Sequence, residues 1–142
     1  MAHDLSAQFQ REQLHQAAQA RDLVRVEDLL RRKYPVNRFD DLGKTPLHYA
    51  VRHGHFAVVH RLLRAGANVN ANDERVVGNT PLSDNVRDIS FEMIKCLLEA
   101  GADPTIRGWM QLNALDRAAD RKDADARKIQ RLLQAAVERR QE

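Results

Sequence analysis

Cysteine is almost absent from this sequence. Its one thiol, Cys96, leaves no internal disulfide and no multi-cysteine zinc site to consider. Long apolar runs are missing too, and no window approaches the roughly 18 consecutive apolar residues of a membrane-spanning helix. The N-terminal stretch MAHDLSAQFQ has neither a basic start nor an apolar core, so no secretion signal is expected and the setting expected is cytoplasmic. Charge of one sign is equally scarce. Lys and Arg number 23 against 20 Asp and Glu, a net charge of +3, and residues 1–71 carry only +4, from 11 cations and 7 carboxylates. A phosphate-binding surface needs a denser basic face, so solvated surface is the better reading of these charges. The six glycines form no phosphate-cradling pattern. What remains is ordinary for one folded domain spanning residues 1–142, with 43% hydrophobic and 30% charged residues.

A repeat is present instead. Val36-Asn37 returns as Val69-Asn70, and Val26-x-x-Leu29-Leu30 returns as Val59-x-x-Leu62-Leu63, both 33 residues on. Leu14 falls on Leu47 at the same step. Thr45-Pro46-Leu47 returns as Thr80-Pro81-Leu82 and Ala65-Gly66-Ala67 as Ala100-Gly101-Ala102, both at 35, so two residues are inserted just before Gly78. Leu115 lies 33 after Leu82, and Leu132-Leu133 lie 35 after Leu97-Leu98. Four units fill the chain, approximately 5–37, 38–70, 71–105 and 106–142.

The second unit shows what each one does. Thr45 is placed to cap a helix starting at Pro46, where a missing amide hydrogen costs little. Leu47, Ala50 and Val51 form a narrow apolar stripe, and Gly54 suits the left-handed residue that ends the helix. Phe56, Val59, Leu62 and Leu63 mark a second helix, ended in the same way by Gly66. The next segment, "ANVNANDERVVGN", has the composition of a turn or hairpin. A single helix pair cannot cover both apolar faces, and stacked pairs do so.

The string Thr45-Pro46-Leu47-His48-x-Ala50, with Gly54-His55, Leu62-Leu63 and Gly66-Ala67-x-x-Asn70, resembles an ankyrin repeat. The resemblance implies an all-α solenoid of about four helix-turn-helix units joined by β-hairpin-like loops. The third unit departs from the motif at Ser83, Asn85 and Ile89-Ser90, so an irregular first helix is expected there. The first and last units lack the Thr-Pro-Leu-His string and read as caps.

Four of the six histidines, His48, His53, His55 and His60, crowd into this second unit. The resemblance implies that His48 bonds locally with Thr45, and that His55 helps to open the second helix. His53 and His60 fall at solvent-facing positions. His55 and His60 are five apart, poor spacing for one helix face, and no carboxylate or thiol lies between them, so no metal site is expected. No nucleophile, base and orienting group converge, and no cofactor or enzymatic activity is expected. Cys96 reads as a part-buried packing thiol, and the Arg-rich C-terminus as the polar face of a cap.

The resemblance also implies a concave partner-binding surface made of hairpin tips and the exposed side of each first helix. It comprises Phe39, Asp41, Leu42, Lys44, Tyr49, Arg52 and His53 in the second unit. The third unit adds Glu74, Arg75, Val76, Val77, Asn79, Arg87 and Asp88, and the fourth Trp109, Met110, Leu112, Arg117 and Arg121. Phe39, Leu42, Val76, Val77, Trp109 and Met110 are large apolar residues where polar ones would satisfy the fold, and interface centres favour such side chains. The structural alternative is that Trp109 and Met110 plug the groove beside the last cap, and that Val77 packs on a neighbouring hairpin. The expected function is binding of a protein partner, as adaptor or inhibitor, by a monomeric chain without metal or membrane. A nucleic-acid-associated scaffold and an enzyme subunit are the alternatives.

Overall fold

The computed structural model describes residues 5–141, the side chain of Leu5 excepted. Nine α-helices follow one another among these residues, with no strand: α1 (Leu5–Arg11), α2 (Gln13–Gln19), α3 (Leu23–Arg31), α4 (Pro46–Arg52), α5 (Phe56–Arg64), α6 (Pro81–Asn85), α7 (Phe91–Glu99), α8 (Ala114–Ala118) and α9 (Ala126–Arg140). The shorter helices α2, α4, α6 and α8 stack in chain order. Helices α2, α4 and α8 each lie against their own longer partner, α3, α5 or α9, and α3 also meets α5 as α7 meets α9. This is the layered array of a helical solenoid. No helix among the described residues is long and apolar enough to cross a membrane.

One cap chemistry starts three of the inner helices, with different atoms each time. At α4, Pro46 takes the first helical position, and His48 Nδ1 accepts the Thr45 backbone N–H at 3.0 Å. At α6 the same task falls to Ser83, whose Oγ accepts the Thr80 N–H at 3.0 Å while Thr80 Oγ1 accepts the Ser83 N–H at 3.1 Å. At α8, Asn113 and Asp116 exchange the equivalent pair at 3.0 and 2.9 Å. Each box satisfies amide groups that a helix start would leave without partners.

The core is one continuous strip of Leu, Val, Ile, Met and Ala between the two layers, from Leu14 through Leu47, Leu62, Leu82 and Ile94 to Leu133. Alanines such as Ala18, Ala50 and Ala118 are fully buried on the inner helices, which lets neighbouring backbones approach. Gly54 and Gly66 end α4 and α5 with φ of +70° and +94°, conformations that cost a side-chain-bearing residue about 1–2 kcal/mol. The third unit's first helix is indeed short. Asn85, where the repeat motif has alanine, turns its side-chain amide back onto the Pro81 carbonyl (2.9 Å) and across to that of His48 (3.3 Å). Such back-bonding competes with continuation of the helix.

Neighbouring pairs are also joined by polar staples. Asn37 and Asn70 each donate to a glycine carbonyl of the next pair, Gly66 and Gly101, at 3.1 Å, and each accepts a backbone N–H beside it at 2.7 Å. His48 Nε2 donates to the Asn79 carbonyl at 2.7 Å, so His48 reaches beyond its own turn into the next pair. His55 departs from the expected local role: its side chain makes no cap bond on α5, and its Nδ1 instead donates to the Ala18 carbonyl at 3.0 Å. His15 completes the set, with Nε2 directed at the carbonyls of Arg38 (2.8 Å) and Lys44 (3.0 Å).

Candidate partner-binding surface

Three loop tips, 38–44, 72–79 and 106–112, project from the inner helices along one edge of the array. In the first, Asp40 organises the turn by accepting the N–H groups of Leu42 and Lys44 at 3.0 and 2.9 Å. Its second carboxylate oxygen takes the Tyr49 hydroxyl. Burial and this carboxylate push the Tyr49 phenol well above its ordinary pKa, so it stays a neutral donor. With its backbone fixed in this way, Leu42 stands 70% exposed.

The second tip is built on Asp73. Its buried carboxylate accepts from the Arg75 backbone N–H (3.1 Å) and from both ends of the Arg75 guanidinium fork (2.9 and 3.0 Å). This fork holds the Asp73 carboxyl below the usual carboxylate range. A turn of 3-10 helix, Glu74–Val76, then delivers Val77 in the left-handed region at φ +50°. A β-branched residue there is strained by about 1–3 kcal/mol.

The third tip repeats the design with other groups. Gly108 N–H bonds to the Leu112 carbonyl at 3.0 Å, Gln111 N–H to that of Gly108 at 2.9 Å, and Arg107 to that of Gln111 at 2.6 Å. Met110 and Gln111 both have φ of +60°. The tip is also fastened to its neighbour: Asn79 Oδ1 accepts the Trp109 N–H at 3.0 Å, and a Cβ on Gly108 would sit 2.2 Å from that same oxygen. Only glycine permits this approach.

These tips bring Leu42, Val76, Val77 and Trp109 around one shallow crevice of about 170 Å³, with Lys44, Asn79 and Asp84 among its lining. Val76 and Val77 are 50% and 49% exposed, Trp109 57% and Met110 65%. Trp109 and Met110 therefore stand out in solvent and do not plug the groove beside the last pair. Beside the crevice, Lys44, Arg52 and His53 share a hollow with Asp84, Asn85 and Asp88. Phe39 and Leu112 are half-buried, and Asp41 and Arg87 are exposed. Most cations of this edge are neutralised: Lys44 by Asp84 (3.3 Å), Arg75 by Asp73 (2.9 Å), Arg87 by Asp120 (2.8 Å) and Arg107 by Asp116 (3.5 Å).

Two expected surface residues lie elsewhere. Arg117 is only 7% exposed, with NH2 donating to the Trp109 carbonyl at 2.9 Å, so it supports the tip from beneath. Arg121 reaches across to α6, where NH1 donates to the Val86 and Ile89 carbonyls at 2.8 and 2.5 Å, while Asp123 holds the rest of its fork. Both guanidiniums thus donate to backbone carbonyls of the protein's own fold. His15 escaped the sequence reading although it lies 33 residues before His48, beside the aligned Leu14. Among the described residues, no three His, Cys, Asp or Glu side chains come together to hold a metal.

Comparison with known proteins agrees with this architecture. Residues 14–108 match the family model for ankyrin repeats in three copies. The human ankyrin repeat domain-containing protein 39 is 44% identical over 50 residues, 35% of this chain and 27% of that relative. The likeness to this relative thus spans about a quarter of its length. With a family model matching more than half of the 142 residues, over the stretch that holds α3 to α7, the chain belongs to the ankyrin-repeat family.

Proposed function

We propose that this protein binds a partner protein through its three loop tips and the inner-helix side next to them, blocking or recruiting that partner. Ankyrin repeats are generally protein-interaction modules. The observation that carries the reading is the set Leu42, Val76, Val77, Trp109 and Met110: large apolar side chains held in solvent on loops whose backbones are fixed by hydrogen bonds. Exposed apolar groups gathered in one patch mark interaction sites. Fixed backbones reduce the ordering cost of association. Because most cations of this edge are paired, the surface offers apolar anchors and no bare basic face, which favours a protein over a nucleic acid.

The test compares two double variants in affinity capture from the source cell, Trp109→Ala with Met110→Ala and Val76→Ser with Val77→Ser. Each should melt within a few degrees of the wild type and weaken capture of the same protein by roughly thirtyfold, the effect of about 2 kcal/mol at an interface anchor. Full capture by both variants would move the interface to the inner helices around Tyr49, Arg52 and Arg87. A collapsed melting temperature would show the side chains to be core.

A further inference from the structure

A second surface lies at the C-terminal end of the array, apart from the loop tips. Helix α9 carries five cations and one carboxylate over Ala126–Arg140. Arg140 is paired with Asp103 at 3.1 Å, and Lys128 sits 4.0 Å over the ring of Phe91. The side chains of Arg127 and Arg131 make no ion pair or hydrogen bond with any described residue, although three aspartates lie just before them. Of those, Asp120 is engaged with Arg87 and Asp123 with Arg121. Arg127 is the second residue of a helix that has Asp125 at its N-cap but no acidic residue in its first turn, an end where the backbone dipole disfavours a cation. Neither pairing within the fold nor helix electrostatics accounts for these two guanidiniums.

They form one wall of an open groove of about 650 Å³ between α8 and α9, with Gln130 and Gln134 beside them and Leu115 of α8 and Ala119 just after it as the apolar part. Arg127 and Arg131, like Gln130 and Gln134, are four residues apart. Side chains at that spacing lie about 5–6 Å from one another along a helix. A partner helix with carboxylates four apart presents matching acceptors, for which the arginine fork is suited, and apolar residues beside them would meet Leu115 and Ala119. The geometry points to this groove as a docking site for an acidic amphipathic helix of a protein partner. It is independent of the loop tips, on the far side of Arg117 and Arg121.

The probe is a synthetic fluorescein-labelled helical peptide with glutamates four residues apart and leucines between them, titrated into the intact protein. Binding should weaken as sodium chloride rises. The double variant Arg127→Gln with Arg131→Gln should keep the wild-type melting temperature and lose at least about tenfold in affinity. In wild-type protein, amide resonances of Leu115, Ala119, Gln130 and Gln134 should move. The variant Trp109→Ala with Met110→Ala should bind the peptide normally, which separates this groove from the tips. The proposal is overturned if the wild type ignores the peptide, if the arginine variant binds it undiminished, or if a DNA duplex of equal charge binds in preference to it. Shifts confined to the loop tips would overturn it as well.

Discussion

Single side chains here serve two partners at once, and the histidines show it most clearly. His48 is 1% exposed, accepts at Nδ1 from Thr45 and donates at Nε2 to Asn79, a pattern open only to the neutral ring. A proton on Nδ1 would face the Thr45 N–H donor. Burial, the largest influence, depresses the pKa of both His48 and His15 below the ordinary 6.5. The sign follows. Well above pH 6.5 both rings are neutral in the folded and unfolded chains and nothing is lost. As pH falls below 6.5 the unfolded chain takes up protons first, and stability declines. Urea melts should show this loss between pH 7.5 and 5.5. His48→Ala should cost about 1–3 kcal/mol at pH 7.5, since it strands the part-buried Asn79 carbonyl and the buried Thr45 N–H, and its stability should change less over that pH range. An equal pH dependence in the variant would show that other groups carry it.

Among elements, the ends of the helices differ in how well they are made. Gly54, Gly66 and Gly101 close α4, α5 and α7 in the left-handed region, with paired backbone bonds to the preceding turn. In the first pair the same bonds are made by Arg21 (φ +63°) and Lys33 (φ +66°). These positions lie 33 residues before Gly54 and Gly66. The end of each helix was therefore legible where glycine marks it, and in the first pair only through the repeat period. Exchanging Arg21 or Lys33 for glycine should stabilise the protein by about 0.5–1 kcal/mol each, the left-handed strain less glycine's added chain entropy. Gly54→Ala should cost about 1 kcal/mol, and its added Cβ meets nothing within 4 Å, so backbone strain is the whole effect. Chemical denaturation midpoints decide both. A destabilised Lys33→Gly would mean that the lysine makes contacts worth more than its strain.

For the molecule as a whole, the main helix contacts among the described residues run within a pair or to the next one, so stability is a chain of local junctions. The period, the caps and the apolar stripes made that chain readable, because each depends on residues close in sequence. The junction between the third and fourth pairs was not readable. Counting from Thr-Pro-Leu places Arg117 and Arg121 on the open side of a full-length helix, but α8 ends at Ala118 and α6 at Asn85. The early end of α6 leaves the Val86 and Ile89 carbonyls facing the next pair, and Arg121 fills both. Where the earlier junctions use His15 and His48, this one uses a charged fork, since Ser83 is too short to reach across. Arg121→Ala should accordingly uncouple one end of the array. Two carbonyls and the Asp123 carboxylate would lose their donor, a cost of about 2–3 kcal/mol for charge-assisted bonds. Amide hydrogen exchange should rise in α8 and α9 well before α4 and α5, whose protection should stay near the wild type. Equal loss throughout would mean that the junction is no weaker than the rest and that the array opens as a single cooperative unit.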